Sequence, residues 1–249
     1  MPRQERMTVP PGGDNGKAEA PGPPVRPPVS AAVLLLYNAI YLIGFCLYLP
    51  LFLWKVLGDR SYRSGMRQRM GHVPVPPSFP VVWVHGVSVG EVKAAEPLVH
   101  ALEQERPELS FVISSTTPTG YRVACRLYGE ERVIYYPIDF GPFPGRALDR
   151  IHPVCILLVE LELWPNLLHA AERRGVPVAV VNGRISRRSF RGYNLVRRLL
   201  PQLDRIDVFC VQNRTYGERL QSLGVRSDAI FTTGNLKYDC LPVRSEGVV

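Results

Sequence analysis

Short apolar runs rich in β-branched residues punctuate the chain from residue 80 onward, at 81–84, 111–114, 133–136, 155–159, 176–181, 208–211 and 230–233. Each is too short for a helix and reads as a buried strand. Between them, 94–102, 119–127, 165–174, 192–200 and 215–223 read as helices. Buried strands alternating with helices predict an α/β fold, a Rossmann-like, doubly wound, mostly parallel sheet. Such sheets bind ligands outside the carboxyl ends of their strands.

The first eighty residues follow a different pattern. Residues 1–30 hold eight prolines and few apolar residues. Such a segment cannot bury enough surface to offset its ordering entropy and is predicted to be a disordered tail. Residues 31–54 contain no charged residue, and a membrane-crossing helix needs about 20 predominantly apolar residues. Tyr37, Tyr41, Tyr48 and Trp54 are candidate interface anchors, and Pro50 is expected to kink or end the helix. With no small-residue cleavage site, the segment reads as an uncleaved signal anchor that spans the membrane, the alternative being a helix that lies on or dips into one leaflet. Lys55, Arg60, Arg63, Arg67 and Arg69 follow it within a basic juxtamembrane stretch, 55–79. That bias predicts a single-pass anchor with the large part, residues 80–240, on the cytoplasmic side. Residues 241–249 form a short polar tail.

Composition narrows the chemistry. A formal net charge of +8 over 249 residues, 46% of them hydrophobic, suggests an anionic partner and one sizeable domain. The five cysteines are scattered without CxxC spacing, which fits a reduced, cytosol-facing domain. The five histidines form no HxxxH or HExxH pair, so no metal motif is evident. The arginines lack the aromatic interleaving of a single-strand binder, and nucleic acid is not an expected partner.

Polar clusters fall just after the predicted strands: His85-Gly86-Val87-Ser88, Ser115-Thr116-Thr117, Pro137-Ile138-Asp139, Glu160-Leu161-Glu162, Asn182-Gly183-Arg184 and Gly234-Asn235-Leu236-Lys237. Six such clusters on one face describe an active-site rim. The first continues to Val89-Gly90-Glu91 and supports two chemistries. Gly86-Val87-Ser88-Val89-Gly90 fits the G-x-S-x-G nucleophile elbow. That elbow needs a histidine late in the domain, yet only His100, His152 and His169 follow Ser88, none of them after a late strand. The bland reading makes Ser88 a helix cap. A dinucleotide site fails sooner, since no G-x-G-x-x-G is present.

The other chemistry rests on carboxylates. Glu91 opens a helix beside a corner whose backbone N–H groups could hold an anion. Glu160 and Glu162 end a strand, where alternation would put both on one side, and Lys237 closes the last strand. Each alone is as readily a cap or a surface pair. Together with Thr117-Pro118-Thr119-Gly120, Tyr136-Pro137-Ile138-Asp139, Leu163-Trp164-Pro165-Asn166, Asn182-Gly183-Arg184-Ile185-Ser186, Gln212-Asn213 and Asn235-Leu236-Lys237-Tyr238-Asp239, they stand in a characteristic order. The chain, from about Tyr37 to Asp239, resembles the N-terminal half of the 3-deoxy-D-manno-octulosonic acid (Kdo) transferases.

The resemblance implies the N-terminal, acceptor-side domain of a membrane-anchored GT-B glycosyltransferase at the bacterial inner membrane. Such enzymes transfer Kdo from CMP-Kdo to a lipid A precursor (lipid IVA), with inversion and without a metal. It implies Glu91, in Ser88-Val89-Gly90-Glu91, as general base, with Glu162 and Lys237 as transition-state stabilisers. Ser88, Gly90, Thr117, Thr119, Gly120, Glu160, Asn182, Arg184, Ser186 and Arg187 are the implied substrate-binding residues. Leu161 departs from the Thr common between the two glutamates, which leaves their division of roles open. Arg184, Arg187, Arg188, Arg191, Arg197 and Arg198 suit either acceptor phosphates or membrane adhesion. The family's second domain, which carries most of the CMP contacts, has no counterpart before Val249. The expectation is therefore a chain without transfer activity in isolation, either half of an enzyme or a non-catalytic lipid-binding remnant.

Overall fold

The computed structural model describes residues 31–58, 65–196 and 203–239. The expected tail, 1–30, and the terminal residues 240–249 lie outside these, as do Arg60, Arg63, Arg197 and Arg198.

All seven expected strands are present: β1 (Val81–His85), β2 (Ser110–Ser115), β3 (Val133–Tyr135), β4 (Pro153–Val159), β5 (Val178–Gly183), β6 (Val208–Val211) and β7 (Ile230–Thr232). They form one sheet in the order β3-β2-β1-β4-β5-β6-β7. Every neighbouring pair is parallel. The order reverses between β1 and β4, which places the topological switch point there. Alternation along β1 explains the two cores. Val81 and Trp83 join a cluster with Ile156, Leu158 and Phe209, while Val82 and Val84 join Phe111, Ile113 and Val99 on the other face.

The long N-terminal helix α1 (Ala31–Gly58) continues through Pro50 rather than ending there. Its Ala32–Leu51 stretch is long and apolar enough to cross a membrane. Proline removes one donor of the helical ladder, and Tyr48, Pro50 and Leu51 are exposed there. One flank of α1 docks on the domain. Tyr37 donates to Asp139 Oδ2 at 3.1 Å, Asn38 Oδ1 accepts from Gly141 N at 3.0 Å, and Asn38 Nδ2 donates to Asn166 Oδ1 at 3.2 Å. Tyr37 and Tyr41 thus meet the domain, Tyr41 packing near the Phe140 ring.

The basic stretch is partly domain structure. Within it α2 (Met66–Arg69) supplies Gln68, whose Oε1 accepts from Tyr135 N at 2.7 Å, and Arg69, which donates to Thr116 O at 2.8 Å and lies over the Tyr135 ring. Val73 is fully buried in the larger core.

The expected helix at 94–102 is two helices, α3 (Val89–Ala94) and α4 (Glu96–Glu105), broken where Pro97 enters the first turn of the second. The order continues with α5 (Pro118–Tyr128), α6 (Phe143–Ile151), α7 (Pro165–Glu172), α8 (Arg187–Val196), α9 (Arg214–Ser222) and α10 (Leu236–Asp239). Helix α6 had no counterpart in the pattern reading. Helix α8 begins at Arg187 rather than 192, because Ser186 caps it by accepting from Ser189 N at 3.1 Å.

Candidate active site at the sheet switch point

The carboxyl end of β1 leads into a corner that Ser88 and Glu91 close on each other. Ser88 is the N-cap of α3 and accepts from Glu91 N. The Glu91 carboxylate reaches back, its Oε2 accepting from Val87 N at 2.8 Å and its Oε1 from the Ser88 hydroxyl at 2.6 Å. This is a variant of the capping box, one residue displaced. The corner N–H of Val87 is therefore taken by Glu91 itself, which corrects the expectation of a free anion-binding corner. It also decides against the serine nucleophile. The partner of Ser88 is a carboxylate, and His85 points elsewhere, its Nδ1 at 2.9 Å from Ser114 Oγ and its ring stacked on Tyr136 at 3.8 Å. Burial pushes His85 down to about 3, so it is neutral at pH 7.

The end of β2 buttresses the same corner. Ser115 Oγ donates to Val87 O at 3.1 Å. Thr117 caps α5, accepting from Gly120 N at 3.0 Å, and Thr119 donates to Thr117 Oγ1 at 3.3 Å. Gly120 has no room for a side chain, since a Cβ would lie 2.2 Å from Ser115 Oγ. Gly90 differs, with the nearest atom to a Cβ at 3.8 Å. It leaves open surface beside Glu91.

At the end of β4 the chain leaves the sheet sharply. Glu160 keeps the ladder through its N–H to Val181 O, then takes a left-handed φ of 65°, and Glu162 N donates back to Glu160 O at 3.1 Å. The expected strand alternation of Glu160 and Glu162 therefore does not apply, because the backbone turns between them. Non-glycine residues held at such φ are strained and concentrate at functional sites. Glu160 Oε1 lies 3.2 Å from Lys237 Nζ on α10. Among the described residues, Glu162 forms no such ion pair. Its carboxyl is pushed up to about 7, first by burial, then by the charges of Glu91 and Glu160. The switch point thus gathers three carboxylates from the ends of β1 and β4 and one ammonium from beyond β7.

The remaining expected residues divide. Asn182 is buried with φ 56° at the end of β5, its Oδ1 accepting from Leu236 N at 3.2 Å. It therefore fixes the segment that carries Lys237. Ser186 caps α8, while Arg184 and Arg187 are exposed with Arg188 and Arg191 beside them. Among the described residues, no hydrogen bond or ion pair joins those arginines to the carboxylates.

Asp139 belongs to a strand-end cluster but was not singled out from the sequence. It is 1% exposed. Its Oδ1 accepts from Leu167 N at 2.8 Å and its Oδ2 from Asn166 N at 3.0 Å, so it caps α7 from 27 residues away. The Tyr37 hydroxyl is its third donor. Burial outweighs these bonds and pushes the carboxyl up to about 6. The Tyr136-Pro137-Ile138-Asp139 motif was the available signal, but the partners are too remote in sequence to infer.

The family described as 3-Deoxy-D-manno-octulosonic-acid transferase (kdotransferase) matches residues 64–240. The chain is 34% identical to the 3-deoxy-D-manno-octulosonic acid transferase of Haemophilus influenzae, over 72% of this chain and 43% of that protein. It is 38% identical to the enzyme of the same name from Bordetella pertussis, over 75% and 43%. The chain thus spans less than half the length of these relatives. Among solved structures, a UDP-GlcNAc 2-epimerase from Neisseria meningitidis, bound to UDP-GlcNAc, is similar with a TM-score of 0.50 and 17% identity. The match covers 64% of this chain and 48% of that one. At that identity the likeness is one of fold.

Proposed function

The chain belongs to the 3-deoxy-D-manno-octulosonic-acid transferase family, and on that premise we propose that it forms the acceptor side of an inverting glycosyltransferase that moves Kdo from CMP-Kdo to a lipid A precursor. The observation that carries this reading is the gathering of Glu91, Glu160, Glu162 and Lys237 at the β1/β4 switch point. Two neighbouring carboxyl groups in unlike environments are the usual signature of divided acid–base work.

In this reading the acceptor hydroxyl approaches over the open surface at Gly90. Glu91 takes its proton as the oxygen attacks the anomeric carbon of the donor sugar, and CMP departs with the bonding pair. Each Glu91 oxygen accepts one recorded hydrogen bond, and a carboxylate oxygen has a second lone pair to receive the proton. A positioned base of this kind contributes about 10²–10⁴-fold. Glu162, ionised in about half the molecules near pH 7, faces the positive charge that develops on the sugar ring. Lys237, steered by Glu160, balances the departing phosphate. Thr117, Thr119, Gly120, Asn182 and Ser186 act by holding the loops that shape this surface. Arg184 and Arg187 offer charge to the acceptor's phosphates.

A second reading exchanges the two glutamates. The elevated Glu162 carboxyl and the engaged Glu91 oxygens favour Glu162 as the base, with Glu91 as a positioning residue. The pH profile separates the two. If Glu162 is the base, Glu162→Gln abolishes the limb near pH 7 together with the rate; if Glu91 is, the rate falls with Glu91→Gln and that limb persists in what remains.

We propose further that α1 holds the protein at the inner membrane from one leaflet. The docked flank reaches Phe45, and the nine residues from there to Trp54 rise about 14 Å. That is half of the ~30 Å hydrocarbon core. A helix crossing fully would have to shed the Tyr37 and Asn38 contacts.

The experiment joins this chain to the remaining half of the Haemophilus influenzae relative and assays Kdo transfer from CMP-Kdo to a lipid A precursor. Transfer that falls at least 10²-fold on Glu91→Gln or Glu162→Gln supports the reading. A chimera that binds both substrates and transfers nothing favours a lipid-binding remnant.

A further inference from the structure

The docked flank of α1 does not close tightly on the domain. Tyr41, Leu42 and Phe45 form one wall of a cavity of about 260 Å³, and Met66, Met70 and Ile138 form the other. Phe140 and Phe143 make its floor, their rings 6.1 Å apart. Apart from the Tyr41 phenol, every lining side chain is apolar. We propose that this groove takes one fatty acyl chain of the glycolipid acceptor, an inference that rests on the acceptor reading of the rim.

Three features select that occupant. Leu42 and Phe45 line the groove and are also exposed, 49% and 37%. The groove is therefore open along its α1 side, and these two side chains lie in the stretch of α1 long and apolar enough to cross a membrane. A fatty acyl chain can enter there from hydrocarbon without crossing water.

Two lining residues, Ile138 and Phe140, flank Asp139, the buried carboxylate that caps α7 two residues beyond Trp164 and four beyond Glu162. A molecule with a chain in the groove would present its polar part to the carboxylates. A bulk phospholipid has no sugar to place there.

The walls also suit the task. Methionines adapt to flexible apolar ligands, and α2, which begins at Met66 and is followed directly by Met70, bears the exposed Arg67 on the same turn. An anionic headgroup and an apolar tail would thus find their counterparts within one segment.

The test is photolabelling of this chain with a lipid A precursor carrying a diazirine at the end of one acyl chain, in phosphatidylethanolamine vesicles. Adducts are expected at Met66, Met70 and 138–143, suppressed by unlabelled lipid A precursor and not by added phosphatidylethanolamine. Met70→Trp fills the groove. Displacing two methylenes' worth of contact lowers occupancy about tenfold. Groove adducts should fall accordingly while those on Leu36 and Leu47 persist, and Met70→Leu should behave as wild type. Saturable labelling confined to the outer face of α1 overturns the groove and leaves the acceptor reading standing. Groove labelling that phosphatidylethanolamine suppresses equally assigns it to bulk lipid and overturns the proposal. No saturable labelling anywhere overturns both.

Discussion

Replacing Asp139 by asparagine should remove a pH dependence that one buried carboxyl imposes on the whole domain. Three donors converge on this group: the backbone N–H groups of Asn166 and Leu167 and the Tyr37 hydroxyl. Each favours the charged form, yet burial is the larger influence and holds the carboxyl at about 6 against an ordinary 3.8. The sign follows from that elevation. A carboxyl raised in the folded state contributes stability fully present below about pH 4 and lost as pH rises through about 6. The gap corresponds to about 3 kcal/mol. For a domain of this size that is about 6–12 °C in Tm. Asparagine cannot titrate and retains one carbonyl acceptor for the cap. Denaturant unfolding of both proteins at pH 4, 6 and 7.5 isolates the effect, since every other titrating group cancels in the difference. The wild type should lose about 2.4 kcal/mol relative to Asp139→Asn across that range. A pH-independent difference would refute the reasoning. A wild type that gains on the variant as pH rises would show that the three hydrogen bonds outweigh burial.

Other consequences are as direct. Glu160→Gln removes one of the charges that raise Glu162, so the Glu162 titration, followed by carboxyl ¹³C shifts, should move to lower pH; an unmoved midpoint counts against their coupling. Gly120→Ala forces a Cβ to 2.2 Å from Ser115 Oγ and should destabilise by about 1–3 kcal/mol in urea unfolding; an unchanged midpoint would mean the corner relaxes freely. A label placed at Met1 should be reached from the cytoplasmic side if α1 stays in one leaflet, and from the periplasmic side if it crosses.

Much of the sheet was legible because its strands are short and β-branched and the inner ones are buried on both faces, a pattern that length separates from a helix. The seven runs and the polar clusters behind them map onto one rim for that reason. Local rules failed where long-range packing takes over. Alternation misplaced Glu160 and Glu162 because the backbone turns at Glu160 with φ 65°. The α6 helix, opening with Phe143-Pro144-Gly145, carries weak local signals and is held by its buried face. Ser88, Thr117 and Ser186 were candidates for ligands, and each hydroxyl serves a helix cap, a use that local spacing predicts equally well. The embrace of α1 by Asp139 and Asn166 spans more than a hundred residues and leaves no trace in either segment alone.

The central claim is that the carboxylates gathered between β1 and β4 perform the transfer chemistry. The most direct test is the rate of Kdo transfer to a lipid A precursor by the chimera with the relative's remaining half, for wild type, Glu91→Gln and Glu162→Gln, with acceptor binding measured in parallel. The account predicts a loss of at least 10²-fold in rate, with acceptor affinity within about threefold of wild type, for whichever glutamate is the base. Rates within a few-fold of wild type for both variants would contradict it.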